Sequence, residues 1–132
     1  MKVIVDTCVW SQALRKNLKQ DTDLINTLIE LIKEVRVQLI GPIRQELLSG
    51  IKYDQQFRDL KEYLAAFPDL PIETSDYEKA AEFYNLCRSK GIQGSNTDFL
   101  ICAIAANNAF EILTIDKDFE NIQKYLPIQL YK

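Results

Sequence analysis

The sequence predicts an α/β protein, a three-layer α/β/α sandwich with a central parallel sheet. Short apolar runs rich in β-branched residues alternate along the chain with longer segments that repeat apolar residues at helical spacing. Strands separated by helices imply right-handed crossovers, with helices on both faces of the sheet. At 132 residues the chain is long enough to bury a core without disulfides or metals, so we expect residues 1–132 to form a single domain.

The N-terminal elements follow from two patterns. Residues 2–5 are apolar and β-branched, which is typical of a buried strand. Residues 22–35 repeat apolar side chains at helical spacing, and Asp21 or Thr22 is available to cap that helix. A second short apolar run predicts a strand at residues 37–40.

Prolines mark the boundaries of the middle elements. Pro42 suits the first turn of a helix, which we expect to end near Leu48. Another amphipathic helix spans residues 57–67 and is closed by Pro68. Residues 71–73 are a candidate short strand.

The C-terminal third predicts two longer helices and three short elements. Ser75 and Glu78 fit a capping box for the first helix, and Gly91 resembles its C-terminal cap. Residues 97–107 are apolar on nearly every side, which suits a helix packed centrally against the sheet. A strand, a short helix and a last strand are then predicted at residues 111–116, 118–124 and 128–130.

The composition excludes several classes of protein. Hydrophobic residues make up 47% of the chain and charged residues 27%, which excludes disorder and a membrane-embedded protein. No apolar run reaches the roughly 18 residues that a bilayer span needs, and the N-terminal stretch lacks the architecture of a signal peptide. We therefore expect a cytoplasmic protein with no membrane partner.

The cysteines and the absence of histidine limit the chemistry further. The three cysteines are widely separated and form no Cys-x-x-Cys pair, so we interpret them as reduced packing residues. Without histidine, Ser-His and Cys-His catalysis and His-based zinc sites are excluded. The net charge of −3 is not that of a stand-alone nucleic-acid binder, although a local patch or a basic partner could supply positive charge.

Four carboxylates fall at the carboxyl edge of the predicted sheet. Asp6 and Asp116 follow predicted strands, and Asp98 lies in the first turn of the helix that leads to the Asp116 strand. Glu46 lies about one turn into the helix that begins at Pro42. Sites in such sheets form outside the carboxyl ends of the strands, so the topology brings these acids to one edge.

Each acid taken alone also has a structural interpretation. Asp98 completes a Ser-x-x-Asp box with Ser95 and is favoured by the helix dipole. Glu46 alone would be a solvated helix residue, and the two acids after strands would be turn or cap residues. By the same reasoning Asp76 and Asp118 reach this edge, but helix capping is sufficient to explain them.

The joint pattern indicates a bound cation. Several neighbouring carboxylates raise one another's pKa unless a cation neutralises them. Mg²⁺ accepts carboxylate and water ligands, and Mn²⁺ tolerates the same set. Such an ion lowers the pKa of a bound water and stabilises charge on a phosphate that is being cleaved, which permits hydrolysis without histidine.

Four stretches of the chain resemble those of PIN-domain ribonucleases, and most closely the VapC-type toxins of toxin–antitoxin modules. The stretches lie in the family's order and cover essentially the whole chain: VIVDTCVW, PIRQELLSG, NTDFLICAIAANN and ILTIDKDF. The resemblance implies that Asp6, Glu46, Asp98 and Asp116 hold one or two Mg²⁺ or Mn²⁺ ions. It also implies cleavage of single-stranded or looped RNA, often transfer RNA. Thr114 matches the family's hydroxyl residue two before the last acid, where it could orient a water or an acid.

The resemblance extends to roles and partners. The three aspartates would be direct or water-mediated ligands, and Glu46 a ligand or the base that helps deprotonate the attacking water. A homodimer is implied, together with a cognate VapB-type antitoxin whose C-terminal segment occludes the acidic site. Cys8 and the lead-in at residues 95–97 depart from the usual family pattern. Four basic residues near the edge are candidates for contacts with substrate phosphates, although each alone could be a solvated surface charge: Arg15, Lys16, Arg44 and Lys117.

Other functions share parts of this pattern. Haloacid-dehalogenase-like phosphatases need a second Asp where Cys8 stands, and response-regulator receivers need an acidic pair and a lysine that are not evident. A housekeeping PIN-domain RNA-processing nuclease remains an alternative. A non-catalytic PIN-like binding module is a further alternative; loss of one or more of the four acids would have indicated it, and all four are present.

Overall fold

The computed structural model describes residues 1–14 and 21–132, and these contain four strands and seven helices. In chain order the elements are β1 (Val3–Val5), α1 (Thr7–Leu14), α2 (Thr22–Lys33), β2 (Val37–Gln38), α3 (Gly41–Leu48), α4 (Asp54–Leu64), α5 (Thr74–Ser89), α6 (Asn96–Asn108), β3 (Glu111–Leu113), α7 (Asp118–Ile122) and β4 (Gln129–Leu130).

The four strands form one parallel sheet in the order β2-β1-β3-β4. Val3 pairs with Val37 on one side and with Glu111 on the other, so β1 is a central strand. All three side chains of β1 are fully buried, as expected for a strand that helices cover on both faces. The predicted three-layer α/β/α sandwich is confirmed.

The helices form two groups. Helix α1 contacts α2 and α3, α3 contacts α4, and α5 packs along α6. In α6 every side chain from Phe99 to Ala105 is buried, which confirms the central helix that the apolar run predicts. The indole of Trp10 is 1% exposed and meets the ring of Phe67 edge-on at 5.4 Å, so Trp10 is a core residue that joins α1 to the segment after α4.

Two local predictions were wrong. Residues 71–73 form no strand; a single parallel bridge joins Leu39 to Asp69, and the chain after Leu39 enters α3 at Gly41 instead of continuing beside residues 71–73. Helix α5 begins two residues before the predicted capping box. Its box instead uses Asp76, whose Oδ2 accepts from the Glu73 N–H at 2.9 Å.

Strand β3 is shorter than predicted. It ends at Leu113, three residues before Asp116, because the Thr114 hydroxyl accepts the Asp116 N–H at 3.0 Å and turns the chain out of the sheet.

Within residues 1–14 and 21–132, no helix combines the length and apolarity that crossing a membrane requires.

Candidate active site

Asp6 lies directly after β1 and is held by three donors. Its Oδ1 accepts the Thr7 N–H at 2.8 Å, and its Oδ2 accepts the Thr114 hydroxyl at 2.9 Å and a weaker contact from the Cys8 thiol at 3.5 Å. The side chain is 7% exposed, one of two acids that are buried among the described residues. A buried carboxylate needs hydrogen bonds or a cation, and these donors fix its orientation.

Thr114 links Asp6 to Asp116. Its hydroxyl donates to Asp6 Oδ2 and accepts the Asp116 N–H, so the Thr114 Oγ1 atom contacts the side chain of one acid and the backbone of the other. The Asp118 N–H donates to Asp116 Oδ1 at 2.9 Å, which fixes that carboxylate at the start of α7. The predicted position of Thr114 beside the acids is therefore observed.

Asp98 lies at the third position of α6, inside the capping box that the sequence predicts. Its Oδ2 accepts the Ser95 N–H at 3.0 Å, and its own N–H donates to Ser95 Oγ at 3.1 Å. Burial raises the pKa of Asp98; the Ser95 hydrogen bonds oppose that shift, and the charges of Asp6 and Asp116 add to it. Asp98 can therefore cap the helix and also lie at the acidic edge, by which we mean the carboxyl edge of the sheet with Asp6, Glu46, Asp98 and Asp116.

Glu46 reaches the same edge from α3. Its Oε1 accepts the Thr7 hydroxyl at 3.2 Å, which joins the second turn of α3 to the residue after Asp6. Partial burial raises the pKa of Glu46; the Thr7 hydrogen bond opposes that shift, and the charges of Asp6 and Asp98 add to it. Each of the four carboxylates therefore lies within the electric field of at least one other.

The side chains are near one another without forming a closed ion cage. Across the described ranges, no group of three or more Asp, Glu or Cys side chains is placed so that it could hold a metal ion together. Mg²⁺ usually keeps several of its waters and binds through one or two carboxylates rather than an all-protein cage. The carboxylate oxygens at this edge are the hard donors that Mg²⁺ and Mn²⁺ prefer, so the residues present fit such an ion by their chemistry.

The predicted phosphate contacts differ in their placement. The Arg44 guanidinium donates from Nε to Asp69, and from its two other nitrogens to the carbonyls of Leu64 and Phe67. These contacts join α3 to the end of α4, so the structure does not support the prediction that Arg44 binds substrate. Lys117 is exposed beside Asp116 and makes no ion pair with the described residues, so its predicted role stays open. Arg15 and Lys16 lie outside the described residues.

Asp76, which the sequence also places at the carboxyl edge, lies elsewhere in the structure. Asp76 is buried and its Oδ1 accepts the amide of Asn107 at 2.6 Å. Asn107 stands nine residues after Asp98, about 13 Å along the same helix. Asp76 therefore lies at the opposite end of α6, and the prediction that it reaches the carboxyl edge was wrong.

The sequence interpretation missed the position of Cys8. Its thiol lies 3.5 Å from both Asp6 Oδ2 and Thr114 Oγ1, and burial raises the thiol pKa. The neutral thiol packs against the two residues that define the acidic edge. Its place two residues after Asp6, in the first turn of α1, was the available signal.

The fold and this edge define a class of protein: a parallel α/β sandwich whose strands and helix N-termini present several carboxylates at one edge. The PIN domain model matches residues 3–125 of the chain. The chain belongs to the PIN domain family.

The similar proteins and structures agree with this assignment. The chain is 26% identical over 129 residues to the VapC ribonuclease Mb1587 of Mycobacterium bovis and to Ribonuclease VapC11 of Mycobacterium tuberculosis, with 96% of both chains covered. Its fold is similar to that of FitAcB from Neisseria gonorrhoeae, with a TM-score of 0.79 and 20% identity over 98% of this chain and 96% of the other. VapBC2 from Rickettsia felis, bound to a promoter DNA fragment, also gives a TM-score of 0.79 at 20% identity, over 99% and 98% of the two chains.

Proposed function

We propose that this protein is a metal-dependent endoribonuclease and the toxin of a VapBC-type module. The observation that carries the proposal is the Asp6–Thr114–Asp116 arrangement, to which Thr7 adds Glu46 through a hydrogen bond. The ribonuclease names of relatives that match along 96% of their length support the reaction.

In this proposal three of the carboxylates bind the metal and the fourth acts as the base. Asp6, Asp98 and Asp116 hold Mg²⁺ or Mn²⁺ directly or through water. When bound, the ion supplies a water of lowered pKa and stabilises negative charge on the phosphate. Glu46 is the most exposed of the site's hydrogen-bonded acids, and its raised pKa suits a base that accepts a proton from the attacking water.

The substrate we propose is RNA, with a structured RNA such as transfer RNA as the preferred form. A protein of net charge −3 gains little from long-range attraction to RNA. Recognition must therefore come from the bound ion and from local contacts near the acidic edge. Single-stranded or looped regions expose their bases and backbone to such contacts.

The partners we propose are a VapB-type antitoxin and a second copy of the chain. Structural neighbours include complexes named VapBC from Rickettsia felis and Salmonella typhimurium. A basic side chain of the antitoxin would be attracted to the four carboxylates and would compete with the metal. A small neighbouring gene for a DNA-binding protein would support the toxin assignment, whereas an isolated gene would favour a housekeeping RNA-processing nuclease.

The central experiment is cleavage of labelled structured RNA by the purified chain. We expect activity with Mg²⁺ or Mn²⁺, loss of activity with a chelator, and recovery when the ion is restored. Asp6→Asn should lower kcat by at least about a hundredfold, because it removes a charged ligand at the most buried position of the site.

A matched variant controls for the loss of one negative charge. Glu34→Gln removes a carboxylate that is exposed beside Arg36, just before β2 and therefore at the amino edge of the sheet. It should cleave RNA as the wild type does. Activity that survives both the chelator and Asp6→Asn would refute the metal mechanism.

A further inference from the structure

We propose that a cavity between the end of α5 and the start of α6 binds one nucleotide of the RNA beside the scissile phosphate. The proposal rests on the proposed ribonuclease function and assigns a substrate subsite to it. The cavity has a volume of about 270 Å³ and six lining residues: Tyr84, Arg88, Ile92, Gln93, Gly94 and Phe99.

The cavity adjoins the acidic edge directly. Gly94 lines it and precedes the capping box of α6, and a Cβ placed on Gly94 would lie 3.6 Å from Asp98 Oδ2. The same Cβ would lie 3.0 Å from the Phe99 ring, so a side chain here would press on the cavity wall. A nucleotide in the cavity would therefore be next to a proposed metal ligand.

The residues that line the cavity offer contacts for both the phosphate and the base of a nucleotide. Arg88 is exposed, and no hydrogen bond or ion pair within residues 1–14 and 21–132 engages its guanidinium, which matches phosphate oxygens in a bidentate geometry. Tyr84 is half-buried and held edge-on against Phe99 at 5.5 Å, so its ring is a fixed aromatic surface for a base. The Gln93 amide can both donate to and accept from a base edge.

Size and charge favour a nucleotide over a protein segment. At about 270 Å³ the cavity lies just below the range of roughly 300 to 1,000 Å³ that is usual for small-molecule sites, so it has room for one small group such as a single base and not for a longer segment. Asp98 beside the cavity repels phosphates, and Arg88 in the cavity lining supplies the positive charge that attracts them. A cationic group in a polar cavity next to the reaction site can therefore bind the phosphate that flanks the scissile one.

The test compares Arg88→Gln with Lys79→Gln. Both variants remove one positive charge from α5, but Lys79 lies nine residues earlier, close to Asp76 and far from the acidic edge. Arg88→Gln should raise the KM for a short single-stranded RNA on the order of tenfold and leave kcat nearly unchanged. Lys79→Gln should leave both unchanged.

Equilibrium binding gives a readout that does not depend on cleavage. Fluorescence anisotropy of the same RNA is measured in the Asp6→Asn background over a range of salt concentrations. Arg88→Gln should reduce the slope of log K against log salt by about 0.7, the value for one phosphate contact on a single strand. Tyr84→Leu should weaken binding on the order of tenfold with an unchanged slope, since it removes stacking and no charge.

The outcomes separate this proposal from the proposed function. Binding that depends on Arg88 in a chain that never cleaves RNA would keep the subsite and reject the nuclease. Cleavage by Arg88→Gln with the wild-type KM and salt slope would keep the nuclease and overturn the subsite. An Arg88→Gln variant that binds RNA normally but loses affinity for the antitoxin would assign the cavity to a protein segment, which also overturns it.

Discussion

At the scale of single residues, Thr114 connects the chemistry of the acidic edge to the path of the chain. Its hydroxyl donates to Asp6 and accepts from the backbone of Asp116, so it orients one proposed ligand and positions the segment that carries another. Residues that orient a metal ligand typically change metal affinity or activity by about 10- to 100-fold when they are removed. Thr114 is thus a positioning residue as well as a neighbour of the reaction.

We predict that Thr114→Val lowers metal affinity and the rate of RNA cleavage by about 10- to 100-fold. Valine keeps the shape but leaves Asp6 Oδ2 without its hydroxyl donor and the Asp116 N–H without its acceptor. The measurements are Mn²⁺ titration by calorimetry and cleavage kinetics at saturating metal.

The conservative replacement distinguishes orientation from packing. Thr114→Ser keeps the hydroxyl and should retain most of the metal affinity and activity. Equal losses in the serine and valine variants would show that the methyl group matters, and would contradict a role through hydrogen bonding.

Residue positions were predictable where the signal was local. Asp6 follows an apolar strand and Asp98 stands three residues after Ser95, so both could be located from neighbours in sequence. The contacts of Arg44 were not foreseen because its partner Asp69 lies 25 residues away, and the contact depends on where α4 ends. The sequence around an arginine near the carboxyl edge does not indicate whether its guanidinium faces solvent or donates to backbone carbonyls.

At the scale of elements, the start of α6 could be predicted and the start of α5 could not. Ser95 and Asp98 are a unique local solution for α6, whereas Glu73 with Asp76 competes with Ser75 and Glu78 for α5. The structure selects Asp76 because Asn107 of α6 also donates to it. That donor comes from 31 residues away, so propensity near the helix start could not decide between the two boxes.

The connection between α2 and β2 contains a strained residue. Val35 has a φ of 56°, in the left-handed region, and its side chain is 74% exposed. The left-handed conformation costs an L-residue roughly 1–2 kcal/mol, and a β-branched residue there is a clear outlier. Hydrogen bonds from Val35 N to Ile32 O and from Arg36 N to Leu31 O hold this turn in place.

We predict that Val35→Gly raises the free energy of unfolding by about 1 kcal/mol, because relief of strain exceeds the extra entropy of glycine in the unfolded chain. Urea unfolding followed by circular dichroism measures the change. Val35→Ala is the matched control, since it removes the same methyl groups but keeps a Cβ in the left-handed region. A glycine variant no more stable than the alanine variant would rule out the strain. RNA cleavage should be unaffected in both.

At the scale of the whole molecule, the absence of histidine simplifies the dependence of stability on pH. Histidine, the side chain that usually titrates between pH 5 and 8, is missing, so the carboxylates with raised pKa values are the first groups to consider. Burial and neighbouring charges raise the pKa of both Asp98 and Glu46. The folded chain therefore binds these protons more tightly than the unfolded chain does.

The sign of the effect follows from that difference. The stabilisation is fully present below the unfolded pKa values, near pH 4, and is lost as pH rises through the raised folded values. Asp98 should contribute more than Glu46, because Glu46 is exposed and screened by solvent. A divalent ion acts in the opposite direction, since it binds only the ionised carboxylates and competes with their protons.

We predict that Mg²⁺ or Mn²⁺ raises the melting temperature more at pH 7 than at pH 4, and that the stabilisation from protonated Asp98 and Glu46 in the metal-free protein falls over the same rise in pH. At a free ion concentration one hundred times Kd the stabilisation would be about 2.7 kcal/mol. Glu46→Gln should reduce the difference in metal effect between the two pH values, whereas Glu34→Gln at the far edge should leave it intact. A metal effect of equal size at pH 4 and pH 7 would mean that ion and protons do not share these carboxylates, and the acidic edge would then lose its role as the metal site.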